Sequence, residues 1–235
     1  MNKQNALKGF VFVVIATVFM SCNSASKNKS ETIMLFNGKN LENWKGDTNV
    51  WSVEEGCIIG KTTDDYQIKQ NTFLTYKNEF SNFELTFQYK IIGGNSGVQY
   101  RAKVLDEQAF VIGGYQADME AGINYSGILY EEKGRGIMAN RGEQVTVLEN
   151  GKKEISTFTT SEAIQSKIHN EAWNDYKIVA NGNHLQHFIN NTKTIDVIDK
   201  EVSKSSNSGV IALQVHAGPN MKVYYKNMVL KPIHN

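Results

Sequence analysis

From residue 33 onward, apolar and polar positions alternate with a period of two, the signature of strands with one buried face. Phe83-Glu84-Leu85-Thr86-Phe87-Gln88-Tyr89-Lys90 alternates without a break, and so does Gln144-Val145-Thr146-Val147-Leu148-Glu149. The Asn150-Gly151 that follows is a type I′ hairpin signal. Asn181-Gly182-Asn183 separates Tyr176–Ala180 from His184–Ile189, and Glu54-Glu55-Gly56 separates Trp51–Val53 from Cys57–Gly60. Gly93-Gly94-Asn95 precedes a strand over Ser96–Lys103. Further strands are predicted over Val111–Glu120, Gly127–Glu132, Thr194–Ile198, Gly209–His216 and Lys222–Leu230. Only Ser161–Ile168 has a helical pattern, capped by Thr160 or Ser161. About a dozen strands and one short helix predict an all-β protein. Its two antiparallel sheets pack face to face as a jelly-roll-like β-sandwich. No fixed-period repeat interrupts the pattern, so residues 33–235 read as one domain.

The first 22 residues follow a different rule. Lys3 and Lys8 precede the apolar run Phe10–Met20, and Ser21-Cys22 ends it. This order is that of a bacterial lipoprotein signal, with Cys22 as the acylated residue. Phe19 and Met20 are bulkier than the residues usual before such a cysteine. Residues 23–32 are polar at first and read as a flexible tether. The expected location is the cell envelope, with the membrane as a partner through the lipid anchor.

Composition narrows the function classes. The 235 residues carry a net charge of +1, and no long basic run, so a nucleic-acid partner is not expected. Removing residues 1–21 leaves 23 basic and 24 acidic residues, a net charge of −1. Gly (19), Tyr (10) and Phe (11) are plentiful and Pro (2) is scarce, which suits tight turns between aromatic strands. With only Cys22 and Cys57, a disulfide framework and a cysteine-based zinc site are excluded. Cys57, inside a strand, reads as a small buried hydrophobe. No GxSxG, HExxH or CxxC occurs, and Gly113-Gly114 and Gly134-Arg135-Gly136 lack the spacing of a phosphate loop.

The polar faces of the strands carry the chemistry. Gln99 and Arg101 share one face, as do Gln116, Asp118 and Glu120, and as do Gln214 and His216; Tyr130 and Glu131 lie on a fourth strand. Planar groups that make several hydrogen bonds match the hydroxyls of a sugar better than a simply solvated face would. A concave sheet would gather them into one cleft, making a carbohydrate the expected partner. His184 and His187 flank a hairpin and read as solvated strand residues.

Several segments resemble the bacterial 3-keto-disaccharide hydrolase family, in order along the chain. They are Phe36-Asn37-Gly38-Lys39-Asn40-Leu41-Glu42-Asn43-Trp44, Asn95–Arg101, Gly114–Asp118, Ser126–Glu131, Trp173–Ile178, Gly209–His216 and Val223–Met228. Together they span about residues 33–233. The resemblance implies a concanavalin-like sandwich and activity on oxidised sugars, often in a lipoprotein. One departure is Asn191, where the family often has glycine; asparagine tolerates the left-handed conformation such a turn needs.

A 3-keto sugar can be cleaved by elimination. The ketone acidifies the C2 proton, a base removes it, and the glycosidic oxygen leaves C1 before water adds back. Such a site needs a base, an acid and a stabiliser of the enolate. Asp118, Glu131 and His216 are the candidate catalytic residues. Arg101 would hold hydroxyls or the enolate, and Gln116 and Gln214 would orient the sugar, with Gln99, Glu120 and Tyr130 completing the binding face. A divalent metal on the carboxylates and His216 would be a further way to polarise the ketone. The alternative is a non-catalytic carbohydrate-binding lipoprotein; acids and a histidine, rather than exposed aromatics, tilt the reading toward an enzyme. The same acid-rich faces disfavour a purely structural envelope protein.

Overall fold

The computed structural model describes residues 31–234. The signal and Cys22, and most of the tether, lie outside the described residues. In chain order the strands begin with β1 (Ile33–Met34), β2 (Trp44–Lys45), β3 (Trp51–Glu54), β4 (Cys57–Lys61), β5 (Thr72–Phe80), β6 (Phe83–Ile92) and β7 (Asn95–Asp106). Next come β8 (Val111–Glu120), β9 (Leu129–Glu132), β10 (Gly136–Ala139), β11 (Glu143–Val147) and β12 (Lys153–Thr157). The helix α1 (Ser161–Gln165) precedes β13 (Asn174–Asn181), β14 (His184–Ile189), β15 (Thr192–Asp199), β16 (Gly209–Val215) and β17 (Lys222–Pro232).

Two sheets form the sandwich. The larger runs β12-β11-β15-β14-β13-β6-β17-β4-β3, with β1 also paired to β17; the smaller runs β10-β9-β8-β7-β16-β5-β2. Every pair of named strands is antiparallel except β11 with β15, which run parallel. The inner faces meet as the periodicity requires. In β6, Phe83, Leu85, Phe87, Tyr89 and Ile91 are buried, and the residues between them are half-exposed. They pack with Val98, Tyr100, Tyr115, Ala117 and Met119 in one core. The Phe87 and Tyr176 rings stack at 5.2 Å within the larger sheet. Each such large apolar side chain contributes about 1.5–3 kcal/mol.

Hairpins close where the turn chemistry predicts. Glu54 pairs with Cys57 across Glu55-Gly56, both at positive φ (50° and 72°). Asn190 and Asn191 adopt φ of 48° and 62° between paired Ile189 and Thr192, so Asn191 takes the conformation for which glycine is the usual solution. The helix is shorter than the pattern predicts, ending at Gln165, with residues 166–168 in a turn. The Thr160 hydroxyl caps it by accepting from the Ala163 N–H. Cys57 is buried and unpaired.

His187 departs from its expected place. It is fully buried, its Nδ1 donating to the Ile128 carbonyl (3.2 Å) while its Nε2 accepts from the Tyr100 hydroxyl (3.0 Å). Burial holds its pKa down at about 3, so the ring is neutral. A bulge in β14 between His187 and Phe188 accompanies this placement, and no glycine or proline marks it in the sequence. His184 is half-exposed and meets Asp196 at 2.7 Å.

Candidate active site

The outer face of the smaller sheet carries a cleft of about 580 Å³. Strand register stacks its polar residues in rows. Gln99 on β7 lies opposite Gln116 on β8, and Gln116 opposite Tyr130 on β9. One row on, Gly97 lies opposite Asp118, and the pairing of Leu213 with Val98 sets Gln214 beside Gly97. In the next row Asn95 lies opposite Glu120, with His216 just past the end of β16. Gly97 is a requirement of this layout. A Cβ there would sit 2.6 Å from Gln116 Cγ, so the missing side chain leaves the space through which Gln116 reaches across the sheet.

Hydrogen bonds make the glutamines a rigid floor. Gln116 and Gln214 exchange amide bonds in both directions (3.3 and 3.2 Å), and Gln99 donates to Gln116 Oε1 (3.1 Å). Gln116 Nε2 also donates to Asp118 Oδ1 (2.7 Å). Asp118 is 6% exposed, and burial raises its pKa from 3.8 to about 8. The Gln116 bond opposes the rise, and the charges of Glu132 and Glu120 add to it. Asp118 is therefore largely a neutral acid at pH 7. Burial, then the charges of Glu132 and Asp118, also raise the Tyr130 pKa, so its hydroxyl keeps its proton.

The rim is fixed from three sides. Glu120 accepts the backbone N–H groups of Asn124 and Tyr125, which holds the loop after β8 against the cleft. Asn71, just before β5, accepts from Ala217 N (3.0 Å) and donates to Glu132 Oε1 (3.3 Å). His216 is exposed, and its Nδ1 lies 2.6 Å from the Ala217 carbonyl. A carbonyl only accepts, so Nδ1 carries the hydrogen and Nε2 of the neutral ring has a free lone pair.

Of the residues singled out from the sequence, Asp118, His216, Gln116, Glu120, Tyr130 and Gln214 line this cleft, and Gln99 lies beneath it, bonded to Gln116. Arg101 and Glu131 do not line it. A bulge between Tyr100 and Lys103 sets Arg101 at φ 47° and breaks the alternation. Its guanidinium binds the carbonyls of Ser81 (2.7 Å), Gly182 (2.6 Å) and Ser206 (3.3 Å) and the Asn82 side chain (3.0 Å). Glu131 shares a face with buried Leu129 and forms a bidentate pair with Arg135 (2.6 and 3.0 Å). The carboxylate of β9 that lines the cleft is Glu132, on the same face as Tyr130. Period two from Tyr130 points to Glu132; nothing in the sequence marks Asn71. Among the described residues, no three His, Cys, Asp or Glu side chains are arranged to hold a metal ion.

A family model described as the 3-keto-alpha-glucoside-1,2-lyase-like domain matches residues 31–231. The chain belongs to this family. No curated protein matches the chain in sequence. Among solved structures, a protein of Parabacteroides distasonis ATCC 8503 provisionally named as a glycosyl hydrolase is 19% identical, with a TM-score of 0.57 over 86% of this chain and 100% of its own. The carbohydrate-binding module CBM66 of Bacillus subtilis is 15% identical, TM-score 0.53, over 80% of this chain and 95% of its own. A Bacillus subtilis protein of unknown function with a galectin-like fold is 9% identical, TM-score 0.54, over 86% and 94%. At these identities the likeness is one of fold, and a fold shared by proteins so differently described does not choose among activities. Membership of the 3-keto-alpha-glucoside-1,2-lyase-like family makes this a carbohydrate-processing scaffold.

Proposed function

We propose that the cleft cleaves glycosidic bonds of 3-keto sugars, disaccharides or glucosides, by elimination across C1 and C2 followed by hydration. The observation that carries this reading is the pairing, in one cleft, of a carboxyl held protonated at neutral pH with an imidazole whose Nε2 is free. Elimination needs one acid and one base, both in those states at the start of the cycle. His216 Nε2 takes the C2 proton. The electron pair moves onto the C3 carbonyl oxygen, where the Tyr130 hydroxyl stabilises it. The enolate then collapses, the C1–O bond breaks, and Asp118 gives its proton to the departing oxygen. In the second half, water adds to C1 and yields a proton to the Asp118 carboxylate, while His216 returns its proton to C2. Both groups end as they began. The Gln116–Gln214 pair and Gln99 keep Asp118 and the floor in register.

The test compares a 3-keto disaccharide with its unoxidised parent in deuterated solvent. Expected are cleavage of the keto sugar with deuterium entering at C2, no cleavage of the parent, and a rate that falls above about pH 8 as Asp118 ionises. His216→Ala and Asp118→Asn should each lower the rate by about 10²–10⁴-fold, whereas Glu131→Gln should act only through stability. Equal rates on both sugars would remove the elimination mechanism. Binding of the parent sugar with no turnover of either would favour a non-catalytic carbohydrate-binding role.

The order of residues 1–22 supports export and acylation at Cys22, which would hold this activity at the cell envelope.

A further inference from the structure

Glu132 borders more than the cleft. A second hollow of about 390 Å³ lies on the far side of this residue, which borders both. Register explains the arrangement. Lys103 on β7 lies opposite Gly113 on β8, and Gly114 opposite Glu132 on β9. Neighbouring strands are about 4.8 Å apart, so the cationic and the acidic position stand two strands apart in successive rows, with a glycine in each row between them. The two glycines put no side chain into the floor between them.

The charge of this hollow is opposite to that of the cleft. Arg135 is fully committed, bound to Glu131, Asp199 and Glu201, and Lys204 is held by Glu201 (2.9 Å). Three further cations on the lining have no carboxylate partner. Lys103 and Lys133 are exposed, and neither takes part in an ion pair among the described residues. Arg101 is only 1% exposed, yet each of its partners is a neutral oxygen. Against these three stand Glu132, which already accepts from Asn71, and the one charge by which Glu131, Asp199 and Glu201 outnumber Arg135 and Lys204, so one positive charge is left over. A buried cation held only by neutral dipoles gains strongly from a nearby anion. Gly114 is four residues from Asp118 along β8, about 13 Å. An anion bound here belongs to a unit beyond the reacting ring.

We propose that this hollow is a second subsite, receiving a carboxylate or sulfate group on the same glycan whose reacting sugar lies over Asp118; this rests on the reading of the cleft given above. Calorimetric titration tests it with three unoxidised ligands: a neutral disaccharide, its uronate analogue and its sulfate ester. The charged sugars should bind roughly five- to tenfold tighter than the neutral one at low ionic strength, with the advantage shrinking as salt is added. The larger ratio, uronate or sulfate, identifies the anion. Lys103→Glu/Lys133→Glu should bring the ratio to one or below. Lys177→Glu/Lys231→Glu, with the same change of net charge on β13 and β17 of the other sheet, should leave the ratio intact. Equal affinities in the unaltered protein, binding of none of the three, or a ratio indifferent to Lys103 and Lys133 would overturn the subsite. The two readings separate cleanly. Turnover of 3-keto disaccharides without charge preference removes the subsite and keeps the catalysis, while a lysine-dependent preference without turnover does the reverse.

Discussion

Asp118 shows how one residue joins stability to chemistry. Its proton is retained in the native state up to about pH 8, whereas the unfolded chain releases it near 3.8. Between those values the native state binds more protons, so this group's contribution to stability declines as pH rises through that window and is constant above it. Asp118→Asn keeps an acceptor for Gln116 Nε2 without the ionisation. The variant should unfold at nearly the same temperature as the unaltered protein at pH 4, and on the order of 5 °C higher at pH 8, despite its loss of activity. Thermal melts at the two pH values decide the matter; a variant no more stable at pH 8 would show that the buried carboxyl carries no strain. Much at this scale was legible beforehand, because Gln116, Asp118, Gln214 and His216 follow simple alternation. Glu131 was chosen in place of Glu132 because a four-residue strand between turns gives few positions from which to fix parity.

At the scale of elements, the bulge in β7 has the largest effect. It carries Arg101 out of the cleft and into a clamp across the β5–β6 turn, the β13–β14 turn and the loop between β15 and β16. Alternation cannot foresee this, since no glycine or proline in β7 flags residue 101 as left-handed. Regular elements such as β6 were legible because both faces obey one period along nearly their whole length. The parallel pairing of β11 with β15 was not, since it depends on segments about fifty residues apart. Arg101→Ala would leave three backbone carbonyls without their donor. We expect a loss of about 3 kcal/mol or more, read as a lower urea midpoint, with residual folded protein keeping its KM for a neutral keto disaccharide. A variant of unchanged stability would place Arg101 outside the structural clamp.

For the whole molecule, the sandwich supplies the platform, and the proposed address is the N-terminal segment. Among the described residues no helix is long and apolar enough to cross a membrane. The proposed attachment is a lipid on Cys22. Metabolic labelling with a fatty acid should mark the unaltered protein and not Cys22→Ser; label persisting on the variant would sink the idea. The order of strands in the larger sheet also has a consequence. β17, the last of the described strands, joins two unequal parts of that sheet, bonded on one side to β6 and the five strands beyond it and on the other to β4 and β1. Until it is in place, β1, β3 and β4 have no strand pairing to the rest of that sheet. Loss of β17 should therefore cost the sandwich far more than loss of an edge strand such as β12, because it severs a sheet instead of trimming it.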